Sequence, residues 1–262
     1  MLREPKMEKT KIEWTDSSWN PITGCYNDCP YCYARRIAHR MEGCDNAPEE
    51  IKQREIIYLR RRLTYTDKRG KTRAASYPFG FKPTFHEYRL FHPKKGSYGK
   101  TIFVCSMADM FGPWIPDEWI AKVFDECQEA PEHRYLFLTK YPERYIKLAD
   151  AGHLPQGDMY WYGSTATGPS KPVFYADEYN TFVSVEPILE PFRGSISDIG
   201  HKVDWAIFGA ETGNRKDKVV PERWWIEDAV ALFKEAGKPV FMKDSMIPIW
   251  GEDILTEMPW ED

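Results

Sequence analysis

Six short runs of β-branched and aromatic residues recur along the chain, several of them separated by stretches with helical spacing. They are residues 101–106 (TIFVCS), 135–140 (YLFLTK), 160–165 (YWYGST), 181–186 (TFVSVE), 205–211 (WAIFGAE) and 239–243 (PVFMK). Near-continuous apolar character marks strands buried on both faces, the habit of parallel sheets. Between them, residues 116–129, 142–151 and 221–236 read as helices; Pro116 and Asp117 open the first, and Gly237 closes the last. Residues 166–180 give no clear pattern. Such alternation is satisfied by a βα barrel or by an open doubly wound sheet. At 262 residues the chain can bury a sizeable core without disulfides. No repeat, low-complexity tract or domain boundary is evident, so residues 1–262 read as one domain.

A polar or charged residue closes most of the runs: Ser106 with Asp109, Lys140, Ser164 with Thr165, Glu186, Glu211, and Lys243 with Asp244. In βα barrels the C-terminal strand ends form the active face. Any one of these residues also fits a solvated strand end; the series is what points to a site. Glu186 and Glu211 read as functional, because a carboxylate beside apolar strand residues needs a partner.

No apolar run approaches the ~20 residues of a membrane span. The charged stretch 1–11 lacks the apolar segment of a secretory signal, so a cytoplasmic protein without membrane partners is expected. In that setting six cysteines raise the question of metal or redox use rather than disulfides. Cys25, Cys29 and Cys32 form a C-x3-C-x2-C loop, with Gly24 and Pro30 supplying turn chemistry. Thiolates are the soft ligands of iron–sulfur clusters and zinc. A helix over residues 33–41 would place Cys32 near its N-terminus, where the dipole favours anions. A closed zinc site needs a fourth ligand, and the nearest candidates, His39 and Cys44, make no standard pattern. The loop itself follows a first strand somewhere within residues 14–24. Cys127 falls on the apolar face of Trp119, Ile120, Val123 and Phe124 and reads as packing. Cys105 also reads as core, and Cys44 is undetermined.

The net charge of −4 is unevenly spread. Residues 52–100 hold 14 Lys and Arg against 3 Asp and Glu, or +11, which leaves −15 for the remainder. Residues 67–70 (DKRG) read as the turn of a hairpin between 56–65 and 72–77. With Tyr58, Tyr65, Tyr77 and Phe79 interleaved, the segment suits nucleic acid, the aromatics stacking on bases and the cations meeting phosphates. The competing reading is a solvated, charged hairpin.

C-x3-C-x2-C with Tyr31 before the third cysteine is similar to the signature of the radical SAM superfamily. More narrowly, the chain resembles the phage-type Gp37/Gp68 family, also called DUF5131 or the three-Cys-motif family. The resemblance rests on residues 11–16 (KIEWTD), 19–25 (WNPITGC), 81–86 (FKPTFH) with Arg89 and Leu90, and 106–111 (SMADMF). It continues through 138–140 (LTK) with 142–144 (PER), 184–187 (SVEP) and 209–213 (GAETG). The basic insertion, at about residues 44–80, is longer than that family usually carries.

The resemblance implies an α/β fold, a partial (β/α)6 TIM-like barrel open at one side. It implies that Cys25, Cys29 and Cys32 bind a [4Fe–4S] cluster whose fourth iron takes the amino and carboxylate groups of S-adenosylmethionine. Reduction by a donor such as flavodoxin or ferredoxin would cleave S-adenosylmethionine to methionine and a 5′-deoxyadenosyl radical, which abstracts a hydrogen atom from substrate. Tyr31 would lie near the adenine. Where the superfamily usually carries a Gly-Gly-Glu-type segment for the amine, this chain has residues 106–109 (SMAD), which makes Ser106 and Asp109 candidates. Ser164 is a further cofactor candidate, and Lys140, Glu186 and Glu211 are the catalytic candidates. The family's distant likeness to DNA photoproduct lyases, with the basic segment, favours a nucleic-acid or nucleotide substrate. The alternatives are a nucleic-acid-binding protein with a structural iron–sulfur or zinc site, and an electron-transfer protein.

Overall fold

The structure is a computed structural model describing residues 8–95, 99–192 and 197–261. Part of the charged N-terminal stretch (1–7) and residues 96–98 of the basic segment lie outside the described residues. The chain divides into two compact units, Met1–Thr10 with Ser17–Tyr135, and Lys11–Asp16 with Leu136–Asp262.

The first unit contains β1 (Glu8–Lys9), β2 (Ser17–Trp19), β3 (Ile22–Thr23), α1 (Tyr33–Arg40), α2 (Glu49–Lys52), β4 (Ile57–Leu59), β5 (Thr64–Thr66), β6 (Thr72–Ala74), β7 (Thr84–His86), β8 (Thr101–Val104) and α3 (Asp117–Gln128). β2 falls inside the window predicted for the first strand. It pairs parallel with β8, Trp19 opposite Val104, and antiparallel with β1. All four residues of β8 are buried, as its unbroken apolar run predicts. The strand stops earlier than the 101–106 run, because Cys105 turns to φ +60 and donates its N–H to the Trp19 carbonyl at 2.7 Å. Trp119, Ile120, Val123, Phe124 and Cys127 are all buried on one face of α3, so Cys127 is a packing residue.

The basic segment departs from the single hairpin expected. Residues 56–65 divide in two: β4 joins a three-stranded sheet in the order β3-β7-β4, and β5 pairs antiparallel with β6. The physical reason is burial. Ile57 and Leu59 are core residues, whereas β5 and β6 are largely exposed. The turn forms where predicted, with Asp67 Oδ1 accepting the N–H groups of Arg69 and Lys71, each at 2.9 Å. Of the four interleaved aromatics, only Tyr65 is exposed. Tyr58 stacks on Phe85 at 5.0 Å, Tyr77 is buried, and Phe79 packs beside Ile57 and Leu59.

The second unit runs β9 (Arg134–Thr139), α4 (Glu143–Asp150), β10 (Tyr160–Thr165), β11 (Asn180–Val185), α5 (Ser197–Lys202), β12 (Trp205–Phe208), α6 (Arg223–Glu235), β13 (Val240–Met242) and α7 (Ile247–Trp250). β10, β11, β12 and β13 lie side by side and parallel. The predicted helices 142–151 and 221–236 correspond to α4 and α6. The connection 166–180 holds no helix and is tied down instead by Ser164, whose Oγ accepts the Phe174 N–H at 2.9 Å. α5 escaped the sequence reading because SDIGHK has one large apolar residue and so no stripe.

Much of the aromatic excess is core in this unit. Trp205 is fully buried and meets Trp260 at 5.2 Å, Phe182 at 5.6 Å and Trp14 at 6.2 Å between ring centroids. Tilted and edge-on rings of this kind pack tightly while keeping favourable quadrupole contacts. No described helix is long and apolar enough to cross a membrane.

Candidate functional site

The cysteine loop begins where β3 ends. Gly24 sits at φ +86, and a Cβ there would come within 2.2 Å of the Lys82 carbonyl oxygen. Only glycine lets the loop lie this close to the 81–82 backbone. Its N–H donates to the Met107 carbonyl at 2.9 Å, and the Cys25 N–H donates to that of Phe81 at 3.1 Å. The loop's entry is thereby fixed to two other segments of the unit.

Cys25, Cys29 and Cys32 are free thiols, each half-buried. Cys25 and Cys32 both pack against the apolar cluster of Ala34, Ala38, Tyr77, Phe81 and Met107. The Sγ of Cys25 accepts the Asn27 N–H at 3.3 Å. Burial pushes this thiol up to about 12, and the nearby Asp109 charge adds to the effect. Cys32 is the N-cap of α1, its Sγ accepting the Arg35 N–H at 3.4 Å. The Cys32 N–H in turn donates to the Cys29 carbonyl at 3.2 Å, and Tyr31, half-buried, lies between them in the chain.

Beside the loop, Asp109 is 7% exposed, accepts the Phe111 N–H at 3.2 Å and takes a long contact from the Asn27 side-chain amide at 3.4 Å. Ser106 contacts Asn20 Oδ1 at 3.2 Å, and its carbonyl accepts the Tyr33 hydroxyl at 2.7 Å. The first unit therefore brings Cys25, Cys29, Cys32, Tyr31, Ser106 and Asp109 into one neighbourhood. Asn20 and Asn27, which the sequence reading did not single out, knit it together. Asn20 had a signal in its motif block, but a polar residue two places before a strand says nothing of partners 86 residues away.

The remaining candidates belong to the second unit. Glu186 follows β11 and accepts Lys243 Nζ at 2.5 Å. Gly209 makes room for the pair, since a Cβ there would stand 3.0 Å from Glu186 and 3.1 Å from Lys243. Glu13, an exposed residue, accepts the Asp244 N–H at 3.1 Å, and partial desolvation of its carboxyl raises it above the ordinary value against the pull of Lys243. Glu211 is 4% exposed and takes both arms of Arg215, at 2.7 and 2.8 Å. That guanidinium holds the Glu211 carboxyl below its usual range. Glu211, buried, and Glu186, half-buried, thus each meet a cation of the same unit. Ser164, fully buried, uses its oxygen to accept from Phe174, and Lys140 is half-buried just after β9.

The donor set of the loop fits a metal cluster in chemistry. It offers three soft thiols, two of them already accepting backbone N–H groups of the kind that stabilise thiolates. Among the described residues, no three His, Cys, Asp or Glu side chains already converge as ligands, and the suggested fourth ligands are otherwise engaged. His39 bonds Glu42 at 3.0 Å, and Cys44 donates to the Pro78 carbonyl at 3.7 Å.

Solved structures of spore photoproduct lyase resemble this chain. One, complexed with dinucleoside spore photoproduct, is 12% identical, with 92% of this chain and 81% of that chain covered and a TM-score of 0.52. A tyrosine-to-phenylalanine mutant of the lyase gives the same identity and coverage with a TM-score of 0.54. The likeness is one of fold: α/β, with a curled parallel half-barrel sheet of seven strands, as the strand runs and the partial-barrel expectation called for. A comparison with curated proteins finds no match. A family model described as "Protein of unknown function (DUF5131)" matches residues 9–254.

Proposed function

The chain belongs to the DUF5131 family, and we propose that it is a radical SAM enzyme acting on a DNA-related substrate. The observation that carries this reading is the cysteine loop. Its third thiol caps the helix that follows, its first is anchored through Gly24, and both pack against one apolar cluster. Cys25, Cys29 and Cys32 would hold a [4Fe–4S] cluster with S-adenosylmethionine beside it, and the pair, when bound and reduced, supplies hydrogen-atom abstraction. Cys25, Cys29 and Cys32 would each hold the cluster as a thiolate.

The chain's own groups have distinct tasks in this scheme. Backbone N–H groups of Asn27 and Arg35 stabilise negative charge on Cys25 and Cys32. Asp109, buried beside Cys25, is the carboxylate that would meet a cationic amine, with Ser106 and Tyr31 in the same neighbourhood. Ser164 accepts the Phe174 N–H and would turn its O–H toward the cofactor. Lys140, Glu186 and Glu211 supply charge at strand ends, with Glu186 and Glu211 already oriented by Lys243 and Arg215. A separate electron donor, such as a flavodoxin or ferredoxin, completes the system.

Two observations support a nucleic-acid substrate: the +11 charge of residues 52–100, with the exposed β5–β6 hairpin, and the fold shared with a lyase solved with a dinucleoside photoproduct. The test is electron paramagnetic resonance of anaerobically reconstituted, reduced protein. Addition of S-adenosylmethionine is expected to change the cluster signal, because three cysteines would leave one iron of a [4Fe–4S] cluster without a protein ligand. A signal indifferent to S-adenosylmethionine means a closed, structural site and overturns the reading.

A further inference from the structure

We propose that a cavity in the first unit, walled by Arg62, Ser76, Tyr88, Arg89 and Asn20, holds a phosphate group of the nucleic-acid substrate. The inference rests on the nucleic-acid reading above and names where the backbone of that substrate is gripped. The cavity measures about 120 Å³. That is the room of about four waters, enough for one tetrahedral anion.

Its charge is what selects the ligand. Arg89 donates Nη1 to the Asn20 carbonyl at 3.1 Å and Nη2 to the Ser76 carbonyl at 2.7 Å. Both partners are neutral, and among the described residues no carboxylate pairs with this half-buried guanidinium. A cation so placed is stabilised by an anion. Arg62 adds a second guanidinium, and both lie 5.6 Å from the centroid of the Tyr88 ring. Two planar guanidinium groups at one small cavity, that of Arg89 fixed by its two carbonyl partners, suit a phosphate, which guanidinium groups engage through N–H donors in fork geometry.

Its position ties it to nucleic acid and to the cysteine loop. Arg62 precedes β5 and Ser76 follows β6, so the cavity lies at the root of the exposed basic hairpin, which can follow the same phosphate backbone. Asn20 connects the cavity to the loop. Its carbonyl takes Arg89, its Oδ1 accepts the Met107 N–H at 3.0 Å, and the Met107 carbonyl accepts the Gly24 N–H at 2.9 Å.

The test uses the full chain without cluster or S-adenosylmethionine, so it stands apart from the chemistry. Inorganic phosphate is titrated calorimetrically, and a fluorescein-labelled single-stranded oligonucleotide is followed by anisotropy over a salt series. Arg62→Gln, at a partly exposed position, is expected to weaken phosphate by about tenfold and to lower the oligonucleotide salt slope by about 1. Arg89→Lys should weaken both ligands too, and circular dichroism reports whether either variant has lost its fold. Arg60→Gln, outside the cavity, should leave phosphate affinity unchanged. Unchanged phosphate affinity in a folded Arg62→Gln protein overturns the proposal, as does a wild-type protein that binds neither ligand. Phosphate binding that the oligonucleotide does not compete assigns the cavity to a free anion and overturns the nucleic-acid assignment. Failure to process S-adenosylmethionine with these results intact would count against the enzyme reading alone.

Discussion

Cys32 Sγ accepts the backbone N–H of Arg35 at 3.4 Å, so one atom serves both as helix cap and as proposed metal ligand. The two roles separate on substitution. Serine is among the preferred N-cap residues but is a poor ligand for a soft metal. Cys32→Ser is therefore expected to keep the stability of the metal-free protein within about 1 kcal/mol while losing the cluster. Chemical denaturation and iron analysis of the same preparation check both halves.

Gly24 sets the path of the loop, and Gly24→Ala adds both a positive-φ penalty and a contact at 2.2 Å with the Lys82 carbonyl. The φ term alone costs roughly 1–2 kcal/mol, and relieving the contact adds to it. The expected outcome is a loss on the order of 3 kcal/mol in denaturant unfolding, with poorer cluster reconstitution because Cys25 moves with its neighbour. Full stability would contradict the close approach.

Glu211 and Arg215 give a pH-dependent contribution whose sign is fixed. The guanidinium lowers the folded carboxyl below its ordinary value of 4.5. The pair's stabilisation is then complete above that value and lost as pH falls through the folded one. Wild-type melting temperature is expected to drop more steeply than that of Glu211→Gln between about pH 5 and about pH 3. Arg215→Ala removes the cation that faces the Glu211 carboxylate and should lower stability at neutral pH, read by denaturant unfolding.

The cysteines divide by role. Cys44 packs beside Ile57, Leu59, Leu63 and Ala75, so Cys44→Ser should leave iron per chain unchanged. Cys29→Ala should abolish cluster assembly. Iron and sulfide analysis of both variants decides the division, and full iron in Cys29→Ala would remove it from the ligand set.

What was legible in the sequence was whatever depends on local pattern. Each apolar run became a strand, and α1, α3, α4 and α6 lie within a few residues of their predicted bounds, because spacing, caps and turn residues act over a few positions. Asp67 organised its turn for the same reason. Relations between distant residues were not legible. Nothing near Glu186 marks Lys243, 57 positions away, as its partner. Nothing around residue 57 shows that β4 leaves the hairpin to pair with β7. Tyr58 and Tyr77 looked like stacking platforms because an aromatic in a basic segment reads the same whether it meets a base or the core. The cysteine loop differs from the other site features, since its three proposed ligands fall within eight residues and need no fold to bring them near one another in the chain.

The most direct measurement of the central claim is the product formed from S-adenosylmethionine. Protein reconstituted anaerobically with iron and sulfide, reduced with dithionite and given S-adenosylmethionine is expected to release 5′-deoxyadenosine and methionine, with none above background from Cys25→Ala, Cys29→Ala or Cys32→Ala. A wild-type protein that carries a full [4Fe–4S] cluster yet neither binds nor cleaves S-adenosylmethionine would contradict the account.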